Sequence, residues 1–125
     1  MTKIVRTTAA PVPVGPYSQA IIYDGLVYCS GQLGIDPSNG KLSPKGTAEE
    51  AKQCLDNVHS VLEAAGSSMN KVVKVTIFMT DLDNFKDVNA IYAERFSEPF
   101  PARTTVGVAR LPLEATIEID VVASL

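Results

Sequence analysis

Apolar and polar residues alternate in short runs along most of this chain and settle into helical spacing only twice. Ala102, Thr104, Val106 and Val108 alternate with Arg103, Thr105 and Gly107. Further on, Ile117, Ile119 and Val121 alternate with Thr116, Glu118 and Asp120. Strand side chains switch faces at every residue, so each run predicts a strand with one apolar face and one face suited to a site. Arg103 and Glu118 both fall on the second kind of face. Pairing the two strands as a hairpin about Pro112 sets these residues roughly four positions apart along the sheet, on the order of 13 Å at the usual strand rise. Two long side chains can bracket a ligand of a few heavy atoms across that gap.

The remaining elements follow from similar patterns. Lys3 to Arg6 predicts a short strand, and the segment Thr8–Pro16 is rich in breakers. Gln19–Tyr23 and Leu26–Ser30 flank Asp24-Gly25, a two-residue loop suited to a type I′ turn, so they predict a hairpin. Ser30-Gly31-Gln32 ends its second strand, and Asp36–Gly40 is a turn by composition. Thr47 through Ala65 predicts a helix. Ala51, Leu55, Val58, Leu62 and Ala65 form its apolar face, Thr47 and Glu50 match a capping box, and Gly66 stops it. Lys71–Met79 predicts a strand with Val73, Val75, Ile77 and Met79 on one face. A second helix, about Asn84 to Phe96, buries Phe85, Val88, Tyr92 and Phe96. Asn89 flanks that stripe, where an amide needs hydrogen-bond partners from protein or ligand.

The order β-ββ-α-β-α-ββ implies one α+β domain over residues 1–125, a mixed sheet with two helices on one face. The strands have little purely polar surface, so the other sheet face needs a cover. With no helices left, the candidate is another copy of the chain.

Composition removes whole classes of function. A formal net charge of −3 withholds the basic footprint that nucleic-acid binding uses, so nucleic acid is disfavoured as a partner. The apolar runs are too short to span a bilayer, and no signal-peptide pattern opens the chain. The expected compartment is the cytoplasm, with an organelle such as the mitochondrion left open. Cys29 and Cys54 match neither a disulfide framework nor a metal-ligand spacing and predict reduced thiols. A phosphate loop, zinc-type spacing and a nucleophile elbow are all missing, so no metal or cofactor is expected. His59, the one histidine, borders the first helix's apolar face and reads as a packing or solvent-edge residue. What remains for chemistry is Arg103, Glu118, Tyr17, Ser30, Asn89 and backbone near Gly31 and Thr105. An arginine fork binds a carboxylate, and a glutamate beside it holds or deprotonates a water. The pair suits hydrolysis of a small carboxylic acid, although a surface or interface Arg–Glu pair has the same spacing.

The stretches Gly15-Pro16-Tyr17-Ser18-Gln19, Ser30-Gly31-Gln32, Asn89-Ala90-Ile91-Tyr92 and Pro101-Ala102-Arg103, continued by Ala109-Arg110-Leu111-Pro112, resemble the RidA/YjgF family. These are the reactive-intermediate deaminases, also called endoribonuclease L-PSP or translation-inhibitor proteins. The resemblance runs in order over nearly the whole chain. It implies a chorismate-mutase-like fold and a homotrimer with clefts between subunits. The implied activity is hydrolysis of 2-imino acids, such as 2-iminobutanoate and 2-iminopropanoate, to 2-keto acids and ammonia. These imines arise from enamines released by pyridoxal-phosphate-dependent dehydratases.

By the same resemblance Arg103 grips the substrate carboxylate, and Glu118 positions the attacking water and moves protons. Tyr17 closes the cleft from a neighbouring subunit, Asn89 is the cleft asparagine, and Ser30 and Gly31 line the pocket. Many members carry a cysteine where this chain has Thr105. The family uses mainly that residue's backbone carbonyl, which Thr105 keeps, so hydrolysis is expected to be spared; a reactive thiol is lost, and the effect on substrate preference stays open. Two other functions stay open: an endoribonuclease that inhibits translation, and a non-catalytic, chaperone-like module that binds small carboxylates.

Overall fold

The computed structural model describes residues 2–125. Among them the elements run β1 (Lys3–Val5), β2 (Ala20–Tyr23), β3 (Leu26–Leu33), β4 (Ile35–Asp36), β5 (Lys41–Leu42), α1 (Thr47–Ala65), β6 (Val72–Met79), α2 (Phe85–Arg95), β7 (Ala102–Gly107) and β8 (Ile117–Ser124). Six strands form one mixed sheet in the order β1-β2-β3-β8-β6-β7, and β4 pairs with β5 as a separate small hairpin. No helix among the described residues is long and apolar enough to cross a membrane.

Local chemistry accounts for most element boundaries. Asp24 and Gly25 both adopt positive φ, 52° and 78°, which is what a type I′ turn between β2 and β3 requires. α1 buries Ala51, Cys54, Leu55, Val58, Val61 and Leu62 at three- and four-residue steps. It stops at Gly66, whose φ of 84° turns the chain so that Gly66 N–H donates to Glu63 O. Ser67 N–H then donates to Leu62 O, completing a Schellman ending. The Arg95–Asp56 ion pair, 2.8 Å long, ties α2 to α1.

Register sorts the side chains into two faces. One row across the sheet reads Val5, Ala20, Cys29, Val121, Val75 and Arg103. All of these but Arg103 are buried, beneath the helices. The row on the opposite face reads Ile4, Ile21, Tyr28, Val122, Lys74 and Ala102. That face has no helix over it, and Ile4, Tyr23, Tyr28 and Val106 stand exposed on it. In its middle lies a polar patch: Asp120, Thr76 and Thr104 share a row, and Lys74 Nζ donates to Thr104 Oγ1 at 2.7 Å.

Three sequence expectations are corrected. The strands holding Arg103 and Glu118 do not pair about Pro112: β6 lies between them, parallel to β7 and antiparallel to β8. α2 provides the crossover that a parallel β6–β7 pair needs, and this carries β7 to the sheet edge. The chain then passes back over β6, through Leu113 and Glu114 at φ 58° and 60°, before entering β8. Secondly, the Thr47–Glu50 capping box does not form. Gly46 caps α1 without a side-chain bond. Thr47 and Thr116 hydroxyls meet at 2.8 Å, while the buried Glu50 carboxylate accepts from Thr116 N–H and from its hydroxyl, both at 2.9 Å. Tertiary partners at the start of β8 outcompete the local cap. Thirdly, a bulge between Val72 and Lys74 turns Val73 outward and Val72 inward.

Glu50 clamps the start of β8, two residues before Glu118. Glu50→Ala would leave the half-buried Thr116 N–H without its acceptor and should cost about 1–2 kcal/mol. Urea unfolding at fixed protein concentration measures this; an unchanged midpoint would show that the clamp does not stabilise β8.

Candidate active site

Tyr17, Ser30, Gly31 and Glu118 come together around one cavity of about 700 Å³. Its wall is otherwise largely apolar, with Val14, Leu33, Ile35 and Leu113 among the lining residues. β3 slips register between Cys29 and Gln32, and Ser30 and Gly31 occupy that irregularity opposite β8. The bulge brings Gly31 against the Glu118 carboxylate. A Cβ at Gly31 would sit 2.6 Å from Glu118 Oε2, so only glycine leaves the carboxylate where it is. Burial raises the Glu118 pKa above the ordinary carboxylate value, and Asp120, two residues along on the same face, adds repulsion. A raised pKa brings a carboxyl group closer to neutral, where it can both take up and give back a proton.

The segment that carries Tyr17 is held by Gln19, a buried amide. Gln19 Oε1 accepts from Thr7 N–H at 2.8 Å, and its Nε2 donates to Thr7 O at 3.0 Å and Pro11 O at 2.9 Å. Ser30 Oγ donates to Ser18 O at 2.6 Å, so the Ser30 hydroxyl is committed to anchoring the residue next to Tyr17. Tyr17 itself, with Val12 and Val14, projects from this anchored loop into solvent.

Arg103 and Asn89 form a second cluster, away from that cavity. Arg103 Nη1 donates to Asn89 Oδ1 at 2.8 Å. The guanidinium carbon lies 5.2 Å from the Phe85 ring centroid and 4.7 Å from that of Tyr92. Thr105 follows on the same face of β7, level with buried Ile77. The hydroxyls of Thr105 and Tyr92 are buried without a hydrogen-bond partner among the described residues.

The two clusters occupy opposite faces of the sheet, which corrects the expectation that Arg103 and Glu118 share one. Arg103 stands in the Val75 row beneath the helices, and Glu118 in the Phe78 row on the uncovered face. They are two strands apart, so their Cα atoms lie about 10 Å apart along the strands and about 10 Å across them. Within one protomer the two side chains cannot bracket a ligand.

In the sequence Phe85 and Tyr92 belong to a buried stripe, Tyr92 also to the Asn89–Tyr92 motif, and Gln19 to a motif and the start of a predicted strand; none of the three stands out as a site residue. Spacing held a signal for the aromatic pair, because Phe85, Asn89 and Tyr92 follow at steps of four and three on one helical face. The cysteines lie outside both clusters' chemistry. Burial, with Asp120 adding repulsion, pushes the Cys29 thiol up to about 12, and burial raises Cys54 well above its usual value. Both stay protonated at neutral pH, and a thiol is a poor nucleophile. His59 is exposed and sits 3.4 Å from Glu63 on its own helix, distant in role from either cluster.

Against this geometry, the family profile described as Endoribonuclease L-PSP matches residues 7–125. The chain belongs to this family, the RidA/YjgF proteins. It is 47% identical over 121 residues to a Bos taurus member named 2-iminobutanoate/2-iminopropanoate deaminase, spanning 97% of this chain and 88% of that relative. The crystal structure of RidA from the Antarctic bacterium Psychrobacter sp. PAMC 21119 matches with a TM-score of 0.95 at 41% identity, over 98% of this chain and 99% of that one. E. coli TdcF with bound serine matches with a TM-score of 0.92 at 34% identity, over 98% of each chain. The mixed sheet with two helices is thus the RidA/YjgF fold, in agreement with the sequence expectation.

The Glu118 carboxyl should titrate above an ordinary glutamate in a carboxyl-resolved NMR titration. Asp120→Asn removes one of the two causes and should move the midpoint down. A midpoint that ignores this substitution would assign the whole shift to burial.

Proposed function

We propose that this chain hydrolyses 2-imino acids, 2-iminobutanoate and 2-iminopropanoate among them, to 2-keto acids and ammonia. It does so as a homotrimer, without metal or cofactor, with residues 1–125 as one domain and the cytoplasm as its compartment. The observation that carries this reading is the division of the candidate residues into two half-sites on opposite faces of one protomer. One half holds a cation and an amide, and the other holds a partly desolvated carboxylate, a tyrosine and an apolar wall. Neither half alone binds and activates a small imino acid. The uncovered, largely apolar sheet face is suited to burial against further copies. Such packing would set the Arg103–Asn89 cluster of one subunit facing the Tyr17–Glu118 cavity of the next. The name of the bovine relative supports the same chemistry.

Each residue then has one role. Arg103 pairs its fork with the substrate carboxylate and so fixes the imine carbon, while Tyr17 closes the cleft from the neighbouring subunit. Ser30 and Gly31 line it, Ser30 through its hold on the Tyr17 loop. Glu118 and the backbone carbonyl of Thr105 hold a water. The water oxygen adds to the carbon of the protonated imine, and the proton it loses passes to Glu118. Glu118 returns that proton to nitrogen. Carbon–nitrogen cleavage then takes the electron pair to ammonia as the hydroxyl collapses to the keto group, its remaining proton leaving to solvent or nitrogen. A carboxyl group with a raised pKa suits this two-way transfer. Glu118 must be ionised to begin, so activity should fall as pH drops through its raised pKa.

A second reading, a non-catalytic receptor for small carboxylates, is favoured by the serine bound to TdcF. Turnover separates the two. The protein is coupled to a threonine dehydratase, and free imine is trapped with semicarbazide. Wild type should suppress semicarbazone formation and Glu118→Ala should not. Arg103→Ala, which removes a bidentate charged contact worth on the order of 3 kcal/mol, should lower kcat/KM about a hundredfold. Failure of wild-type protein to suppress trapping would favour the receptor. Sedimentation at micromolar concentration should give three times the mass of the chain, and a monomer would leave the half-sites apart and overturn the proposal.

A further inference from the structure

We infer that Phe85 and Tyr92 are positioning residues for Arg103, forming with Asn89 a neutral cradle that aims its guanidinium at an anionic ligand. Four observations converge. Phe85, Asn89 and Tyr92 share one face of α2, and β7 lays Arg103 across that face. The guanidinium carbon lies within cation–π distance of both rings, 5.2 and 4.7 Å from their centroids. Tyr92 is a fixed platform: it is 6% exposed, and its ring packs on Phe96 with 4.5 Å between centroids. Asn89 takes one of the two N–H groups of Nη1. Since a guanidinium carries five N–H donors in a rigid fork, the Nε–Nη2 edge stays free for two parallel bonds to a carboxylate.

The chemistry of the cradle matters as much as its shape. Arg103 has no carboxylate within ion-pair distance among the described residues. Arg95, at the end of the same helix, is bound to Asp56 at 2.8 Å and serves to join two helices. An acidic partner on Arg103 would neutralise it and compete with an anionic ligand. Ring faces and an amide oxygen orient the cation while leaving its charge unspent. The deaminase reading supplies only the identity of the ligand carboxylate; the cradle stands on the contacts around Arg103.

A carboxylate contact that persists from bound substrate to transition state acts on KM rather than kcat. Phe85→Leu and Tyr92→Leu keep an apolar side chain but remove a ring face. Each should raise KM for the imino acid, and Kd for the keto-acid product 2-oxobutanoate, by roughly three- to tenfold, with kcat changed less than about twofold. Phe85→Tyr and Tyr92→Phe retain the ring and should recover most of that affinity. Leucine variants that lower Tm yet bind 2-oxobutanoate as wild type does would make the rings purely structural and overturn the inference. An independent reading comes from wild-type protein, where the Arg103 Nε–H resonance, assigned by its loss in Arg103→Lys, should be ring-current shifted. An unshifted resonance would overturn the cradle even if the leucine variants fail to fold. Binding of 2-oxobutanoate needs no turnover. Ring-dependent binding without imine hydrolysis would therefore sink the deaminase reading and leave the cradle, and full hydrolysis with ring-independent binding would do the reverse.

Discussion

Cross-strand register is the constraint on which the rest depends. Residues level with one another in neighbouring strands share a face, and a shift of one residue sends a side chain to the other face. Arg103 is level with Val75 and Val121, both buried beneath the helices, so it must emerge on the helix side. There it meets α2, the element whose crossover brought β7 to the sheet edge. Glu118 is level with Phe78 and must emerge on the side without helices. The parallel β6–β7 pair thus decides at once the strand order, the contacts of Arg103 and its separation from Glu118.

Polar side chains, buried Glu50 and Gln19 and half-buried Ser30, hold the segments that matter for chemistry. Glu50 fixes Thr116 at the entrance to β8, Gln19 gathers the backbone around Thr7 and Pro11, and Ser30 ties down Ser18. Each is a side chain satisfying backbone groups that no strand or helix partner reaches. Such groups are costly to leave unpaired, so each bond also fixes a conformation. Glu118 and Tyr17 inherit their positions from these anchors rather than from sheet bonds alone.

Electrostatics divides along the same line. Glu118 sits in a partly desolvated setting beside a like charge, whereas Arg103 lies against two rings and an amide. A carboxyl group whose pKa is raised by burial and a neighbouring acid, and a cation kept free of acid, are complementary in function. In the proposed assembly each lacks its counterpart until a second copy arrives. The apolar rows that carry Ile4, Ile21, Tyr28 and Val122 give that copy a surface on which to pack.

Sequence by itself determined the elements whose signals are short-range. Apolar spacing and Gly66 marked the helix that ends at Ala65, its start at Thr47 was read from a capping box that does not form, Asp24-Gly25 marked its hairpin, and alternation marked β6, β7 and β8. Elimination left the candidate residues, and resemblance to a family assigned their roles and implied a cleft between subunits, without saying which of them share a face of one protomer. The tertiary structure decided what local signals cannot carry. An insertion of β6 between β7 and β8 reversed the expected relation of Arg103 to Glu118, and one bulge exchanged Val72 for Val73 in the core. It also drew Glu50 away from the helix cap to Thr116 and placed Phe85 and Tyr92 under a guanidinium. The physical reason is one of range. Periodicity, caps and turns act over a few residues, whereas strand order and face depend on which distant segments bury one another.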